Sequence, residues 1–79
     1  MKVTVHYFAA LREAAGTRSE ERVTSAETAR ALYEELKEAY AFPLGFDQVR
    51  VAVGTAYADA DTRLSEGLEL TFIPPVAGG

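Results

Sequence analysis

The sequence predicts an α+β roll, a mixed sheet of four to five strands with one main helix packed on it. Three observations predict it. Both ends of the 79-residue chain alternate apolar and polar residues with a period of two, a helical-period apolar stripe lies between them, and the apolar faces so defined need each other for cover. At the start, Val3, Val5 and Tyr7 fall on one face and Lys2, Thr4 and His6 on the other, which reads as a half-buried strand over 2–8. Ala9 to Ala15 holds good helix formers and is followed by Gly16, a residue suited to a left-handed helix end, so a short helix or turn comes next. Arg18 to Val23 is polar and charged, the signature of a strand near a sheet edge.

The main helix is expected to start after Thr24, since Thr24 and Glu27 have the spacing of a capping box. Ala29, Leu32, Tyr33, Leu36 and Tyr40 then recur at helical intervals as one apolar stripe. Phe42 precedes Pro43 and Gly45 adds a second breaker, so the helix should end near Tyr40 and a loop should occupy 41–47. A third strand follows over 48–53, with Val49, Val51 and Val53 in phase. Gly54-Thr55 offers glycine at the first central position of a type II′ turn, which places Tyr57 on a short returning strand. The segment 58–63 reads as a turn and Leu64 as a return to the core. The last strand spans 68–73, with Leu68, Leu70 and Phe72 inward.

Composition narrows the function. A chain of 8.6 kDa is one domain, expected over 1–73 with an extended tail over 74–79, and has no room for separate catalytic and substrate lobes. Domains of this size bury only roughly 60 to 65% of their unfolded surface, so a partner adds usefully to stability. There is no cysteine, which removes disulfides, thiolate metal sites and thiol nucleophiles. Eight basic residues against twelve acidic ones give a net charge of −4, without the basic footprint of a nucleic-acid binder. No apolar run approaches the roughly 20 residues of a membrane span, and the N-terminus enters strand alternation at once instead of a leader's apolar core. The expectation is a cytoplasmic protein with neither nucleic acid nor membrane as partner.

The chain's end, FIPPVAGG, carries the clearest chemical signal. Pro74 and Pro75 cannot donate ladder hydrogen bonds, so the strand stops and a stiff extended segment follows. Val76, Ala77, Gly78 and Gly79 taper in side-chain size, and six residues reach about 20 Å at about 3.3 Å each. A narrow channel that brings a reagent to a terminal carboxylate admits only a chain without Cβ atoms. Two terminal glycines arise by chance in about 0.5% of chains, from an average glycine usage of about 7%. The functional group delivered is the α-carboxylate of Gly79, a poor acyl donor until activated as a mixed anhydride with a nucleotide phosphate. The chain has no phosphate-binding glycine loop, so a partner that binds ATP must make the anhydride.

Four stretches, VHYFAALREAAG, TSAETARALYEEL, VAVGTAYADADTRLSEG and LTFIPPVAGG, together cover nearly the whole chain and resemble the β-grasp sulfur carriers, in particular the molybdopterin synthase small subunits. The last stretch is the most specific. One departure is Gly54, where family members commonly carry Asn; glycine fits the same turn. The resemblance implies a ubiquitin-like β-grasp fold. It further implies that the Gly79 carboxylate is adenylated by a ubiquitin-activating-type enzyme, becomes a thiocarboxylate with sulfur from a sulfur-transfer protein, and enters the large synthase subunit. There the sulfur passes to a pterin precursor, in a two-plus-two assembly. No cofactor is bound stably: ATP is consumed by the activating partner, and the chain alone catalyses nothing. A sulfur carrier for thiazole or amino-acid synthesis, a ubiquitin-like protein modifier, and a binding module with an inert tail stay open as alternatives.

Strand parity also proposes a partner surface. Phe8 is out of phase with Val5 and Tyr7, Ile73 is out of phase with Leu70 and Phe72, and Tyr57 lies on a short edge strand, so Phe8, Tyr57 and Ile73 are expected as a docking patch. Ordinary core or edge packing is the bland alternative for all three. His6, the sole histidine, sits at a polar-face strand position with little to support a metal or general-base role. Asp59 and Asp61 are spaced like a cation pair but lack further ligands nearby, which favours turn chemistry. Arg12 and Glu13 read as a solvated helix face, and no metal site is expected.

Overall fold

The computed structural model describes residues 1–75. Its element order is β1 (Lys2–Tyr7), α1 (Ala9–Ala15), β2 (Ser19–Val23), α2 (Ala29–Tyr40), a 3₁₀ turn (Phe46–Gln48), β3 (Arg50–Val53), β4 (Ala56–Ala58) and β5 (Glu69–Ile73). The five strands form one sheet in the order β2-β1-β5-β3-β4. β1 and β5 are parallel, with Thr4 opposite Glu69 and Tyr7 opposite Phe72, and every other pair is antiparallel. The α+β roll is therefore a mixed five-stranded sheet with α2 across one face. The last strand lies at its centre, and the charged β2 lies at an edge as its sequence predicts.

The core is the period-two and period-3.6 faces meeting. Val3, Val5, Tyr7, Leu70 and Phe72 from the sheet, and Ala29, Leu32, Tyr33 and Leu36 from α2, are all essentially inaccessible to solvent. Leu11 of α1 and Leu64 of the 59–67 loop close its ends. Phe42, placed by sequence in a loop, belongs to this core. Ala41 ends α2 in the left-handed region at φ 55°, which turns Phe42 back under the helix against Tyr7, Tyr33 and Tyr40 at centroid distances of 5.9, 5.5 and 5.9 Å. The turn between β3 and β4 has φ +62° at Gly54 and no positive φ at Thr55, as a type II′ turn requires.

The helix start corrects the sequence reading. Thr24 and Glu27 do not form a capping box: α2 begins at Ala29, and Thr28 caps it, its Oγ1 accepting the Ala31 N–H at 3.2 Å. Thr24 is buried instead and donates its hydroxyl to Glu35 at 2.7 Å, while Glu27 pairs with Arg63 at 2.8 Å. Thr28 fell inside the expected helix because it too is a threonine within reach of the apolar stripe. The backbone decided between them: Thr28 forms a bridge to Arg63, and that extended conformation suits a cap.

Between β2 and α2 lies a half-buried polar network. Glu35 accepts from Thr24 and, at 2.7 Å, from Arg22, while the hydroxyls of Tyr7 and Tyr40 both donate to Glu20. Burial works against the Glu35 carboxylate, but the hydrogen bonds from Thr24 and Arg22 outweigh it and hold the group below its usual range. Tyr7 is pushed far up, first by burial and then by its bond to Glu20. Tyr33, whose hydroxyl donates to the Leu44 carbonyl at 2.8 Å, is pushed up by burial from 10.0 to about 12.

Two predictions follow from this packing. Thr28→Ala should cost about 1 kcal/mol in urea unfolding, with Glu27→Ala near neutral; the reverse ranking would restore the Thr24–Glu27 cap. A tyrosine whose folded pKa is raised contributes stability that is present below its unfolded pKa and lost as pH climbs through the folded one. Stability should therefore fall between pH 10 and 12, with about 2 to 3 kcal/mol of the loss carried by Tyr33. Tyr33→Phe should flatten that slope in denaturant titrations at each pH.

Candidate functional site at the root of the C-terminal tail

The site is built on where the last strand ends. β5 is hydrogen-bonded on both sides, parallel to β1 and antiparallel to β3, and its inward Leu70 and Phe72 have no exposed surface. The chain thus leaves from the middle of the sheet, not from a fraying edge. Ile73, the last strand residue, is half-buried; Pro74 is buried and Pro75 exposed. Neither proline has an N–H to extend the ladder, so pairing stops where the tail begins. Val76, Ala77, Gly78 and Gly79, which the sequence singles out as the reactive end, lie outside the described residues.

The helix-free face of the sheet surrounds this exit. Register aligns His6, Thr71, Ala52 and Tyr57 in one row across β1, β5, β3 and β4, and sets Ile73 opposite Arg50 in the next. Phe8 follows Tyr7 in extended conformation and is 51% exposed, and Tyr57 is 69% exposed. With Met1 and Val23 they are the large apolar side chains left exposed among the described residues. The three residues predicted from parity share one face. Tyr57 and Ile73 line a common groove of about 690 Å³ with Asp47, Gln48, Arg50 and Pro74. Phe8 borders a neighbouring groove with His6, Glu69, Thr71 and Gly54.

Arg50 is the residue of this face that sequence reasoning missed. Its guanidinium carbon stands 5.5 Å from the centroid of the Tyr57 ring, a cation–π stack. Its outward direction was readable, because Val49, Val51 and Val53 take the inward phase. Its neighbours were not, since the pairing with Ile73 depends on a β3–β5 register that no local signal encodes. The remaining candidates have structural explanations. His6 Nε2 lies 2.9 Å from Glu69 Oε1 on the exposed sheet face. Asp59 accepts from the Asp61 N–H and the Thr62 hydroxyl as an Asx-type turn does. Arg12 and Glu13 are exposed on α1. Among the described residues no group of three His, Asp or Glu side chains is placed to hold a metal ion, and no helix is long and apolar enough to cross a membrane. What this arrangement does is hold a tail root rigidly and ring it with apolar surface and one cation.

Comparison with known proteins gives that arrangement a context. The ThiS family model matches residues 5–79. No curated protein matches the chain. Among solved structures it is similar to a putative molybdopterin converting factor subunit 1 from Pyrococcus furiosus, at 32% identity over 96% of this chain and 99% of that one, with a TM-score of 0.78. It is also similar to SAMP1 from Haloferax volcanii, at 24% identity over the whole of both chains with a TM-score of 0.80, a likeness of fold. A third similarity is to the complex of subunits 1 and 2 of molybdopterin-converting factor from Helicobacter pylori, at 25% identity over the whole of both chains with a TM-score of 0.66.

Proposed function

The chain belongs to the ThiS family of ubiquitin-like β-grasp sulfur carriers, and from that premise we propose that it is the small, sulfur-donating subunit of molybdopterin synthase. The observation that carries the choice within the family is the likeness to the Pyrococcus furiosus subunit, which extends over nearly the full length of both chains. The complex of the two Helicobacter pylori subunits supports a large-subunit partner.

The chemistry proposed for Gly79 proceeds in three balanced steps. A carboxylate oxygen attacks the α-phosphorus of ATP in a ubiquitin-activating-type enzyme, forming the acyl adenylate and releasing pyrophosphate. Sulfur at the oxidation level of hydrosulfide, delivered by a sulfur-transfer protein, displaces AMP and leaves a thiocarboxylate. In the large subunit the thiocarboxylate sulfur bonds to a carbon of the pterin precursor as an oxygen substituent leaves that carbon, and water then cleaves the resulting thioester to the Gly79 carboxylate and the precursor's thiol. The described part of the chain contributes the root: β5 is paired on both sides up to Ile73, and Pro74 and Pro75 end the ladder. The protein works in the cytoplasm, where ATP and its partners are available, and Phe8, Tyr57 and Ile73 serve as its docking patch.

Intact mass after incubation with ATP, the activating enzyme and a sulfur donor tests the carrier role. The expected result is a gain equal to one oxygen replaced by sulfur, absent when Gly79 is deleted. An unchanged mass favours a binding module, and a gain of a whole second protein favours a modifier. Sulfur transfer to the pterin precursor, as against thiazole or amino-acid synthesis, then separates the carriers. For the patch, Phe8→Asp and Ile73→Asp should each weaken the complex with the large subunit at least about tenfold; a folded variant that binds as before removes that residue from the patch.

A further inference from the structure

We propose that Arg50 is a specificity residue for activation, pairing with a carboxylate at the mouth of the activating enzyme's tail channel. The inference rests on the carrier function proposed above. Its starting point is geometric. A protein that closes over the tail from Pro75 onward must abut the surface where the tail emerges, and that surface is the groove of Asp47, Gln48, Arg50, Tyr57, Ile73 and Pro74. Arg50 lies directly opposite Ile73 in the β3–β5 register, one residue before the chain leaves the sheet.

Charge singles it out within that groove. The protein is acidic overall, and Arg50 is the one basic side chain among the described residues that line the groove; elsewhere Lys2, Arg22 and Arg63 are paired with glutamates, and Arg12, Arg18, Arg30 and Lys37 are not. Arg50 makes no ion pair with any described carboxylate, including Asp47 in the same groove. Its guanidinium carbon sits over the Tyr57 ring, a cation–π contact that favours one placement, and no described residue accepts from its N–H groups. A pre-positioned guanidinium suits a partner carboxylate, which it meets with two parallel hydrogen bonds. An exposed pair of this kind mainly raises the rate and selectivity of encounter, leaving release easy. That behaviour fits an enzyme that must bind the carrier, activate it and let it go; a lasting subunit complex draws more on apolar burial.

Steady-state adenylation by the activating enzyme, followed as pyrophosphate release from the full-length chain, tests this. Arg50→Glu should raise KM for the carrier at least about tenfold with kcat unchanged, while Arg50→Lys, which keeps the charge but loses the fork, should raise it less. The wild-type KM should climb with ionic strength, and that of Arg50→Gln should climb less steeply. Unchanged melting temperatures are expected for all three, since the side chain is exposed and makes no ion pair with a described carboxylate. An unaltered KM in Arg50→Glu overturns the inference and leaves the carrier function standing, and so does a fall in kcat alone. A wild-type chain that is not adenylated overturns both.

Discussion

The central position of β5 is the constraint on which the rest of the structure depends. A strand at the end of a chain is ordinarily the element most ready to fray. Here it is bonded on both sides, by β1 and by β3, and its Leu70 and Phe72 sit in the middle of the core beneath α2. A parallel β1–β5 pair requires a long crossover, and everything between Phe8 and Leu68 serves as that connection. The helix must cross the face that the crossover passes, the aromatic cluster of Tyr7, Tyr33, Phe42 and Phe72 fills the space beneath it, and β3 with β4 extends the sheet on the far side.

The two faces of the sheet divide the labour. The inner face is apolar and covered; polar groups gather at its β2 margin, where Glu20, Arg22, Glu35, Thr24 and two tyrosines satisfy one another, and the buried Tyr33 hydroxyl is met by the Leu44 carbonyl. Burying such charges is tolerable only when they are paired this completely. The outer face carries no helix, and it combines threonine, alanine and histidine rows with the exposed rings of Phe8 and Tyr57. One face makes the domain stable, and the other leaves the Phe8 and Tyr57 rings in solvent.

Much of this was legible in the sequence because it rests on periodicity. The phase of Val3, Val5 and Tyr7, that of Leu70 and Phe72, and the stripe from Ala29 to Leu36 each assign a face without knowledge of the fold, and the tail's taper is visible in the bare residues. What escaped depended on contacts distant in the chain. Phe42 looked like loop because Pro43 and Gly45 follow it, and only the left-handed Ala41 reveals that it turns inward. The choice of Thr28 over Thr24 as cap turned on a bridge to Arg63, 35 residues further along. Arg50 became notable through its register with Ile73 and its stacking on Tyr57.

The parallel pairing of first and last strands has a mechanical meaning. β1 begins at Lys2 and β5 ends at Ile73, so the two chain ends leave this pair from opposite ends. Tension applied between them runs along the strands and loads the β1–β5 hydrogen bonds together, in shear, instead of peeling them apart one after another. The domain is thereby built to resist tension applied between its first and last strands.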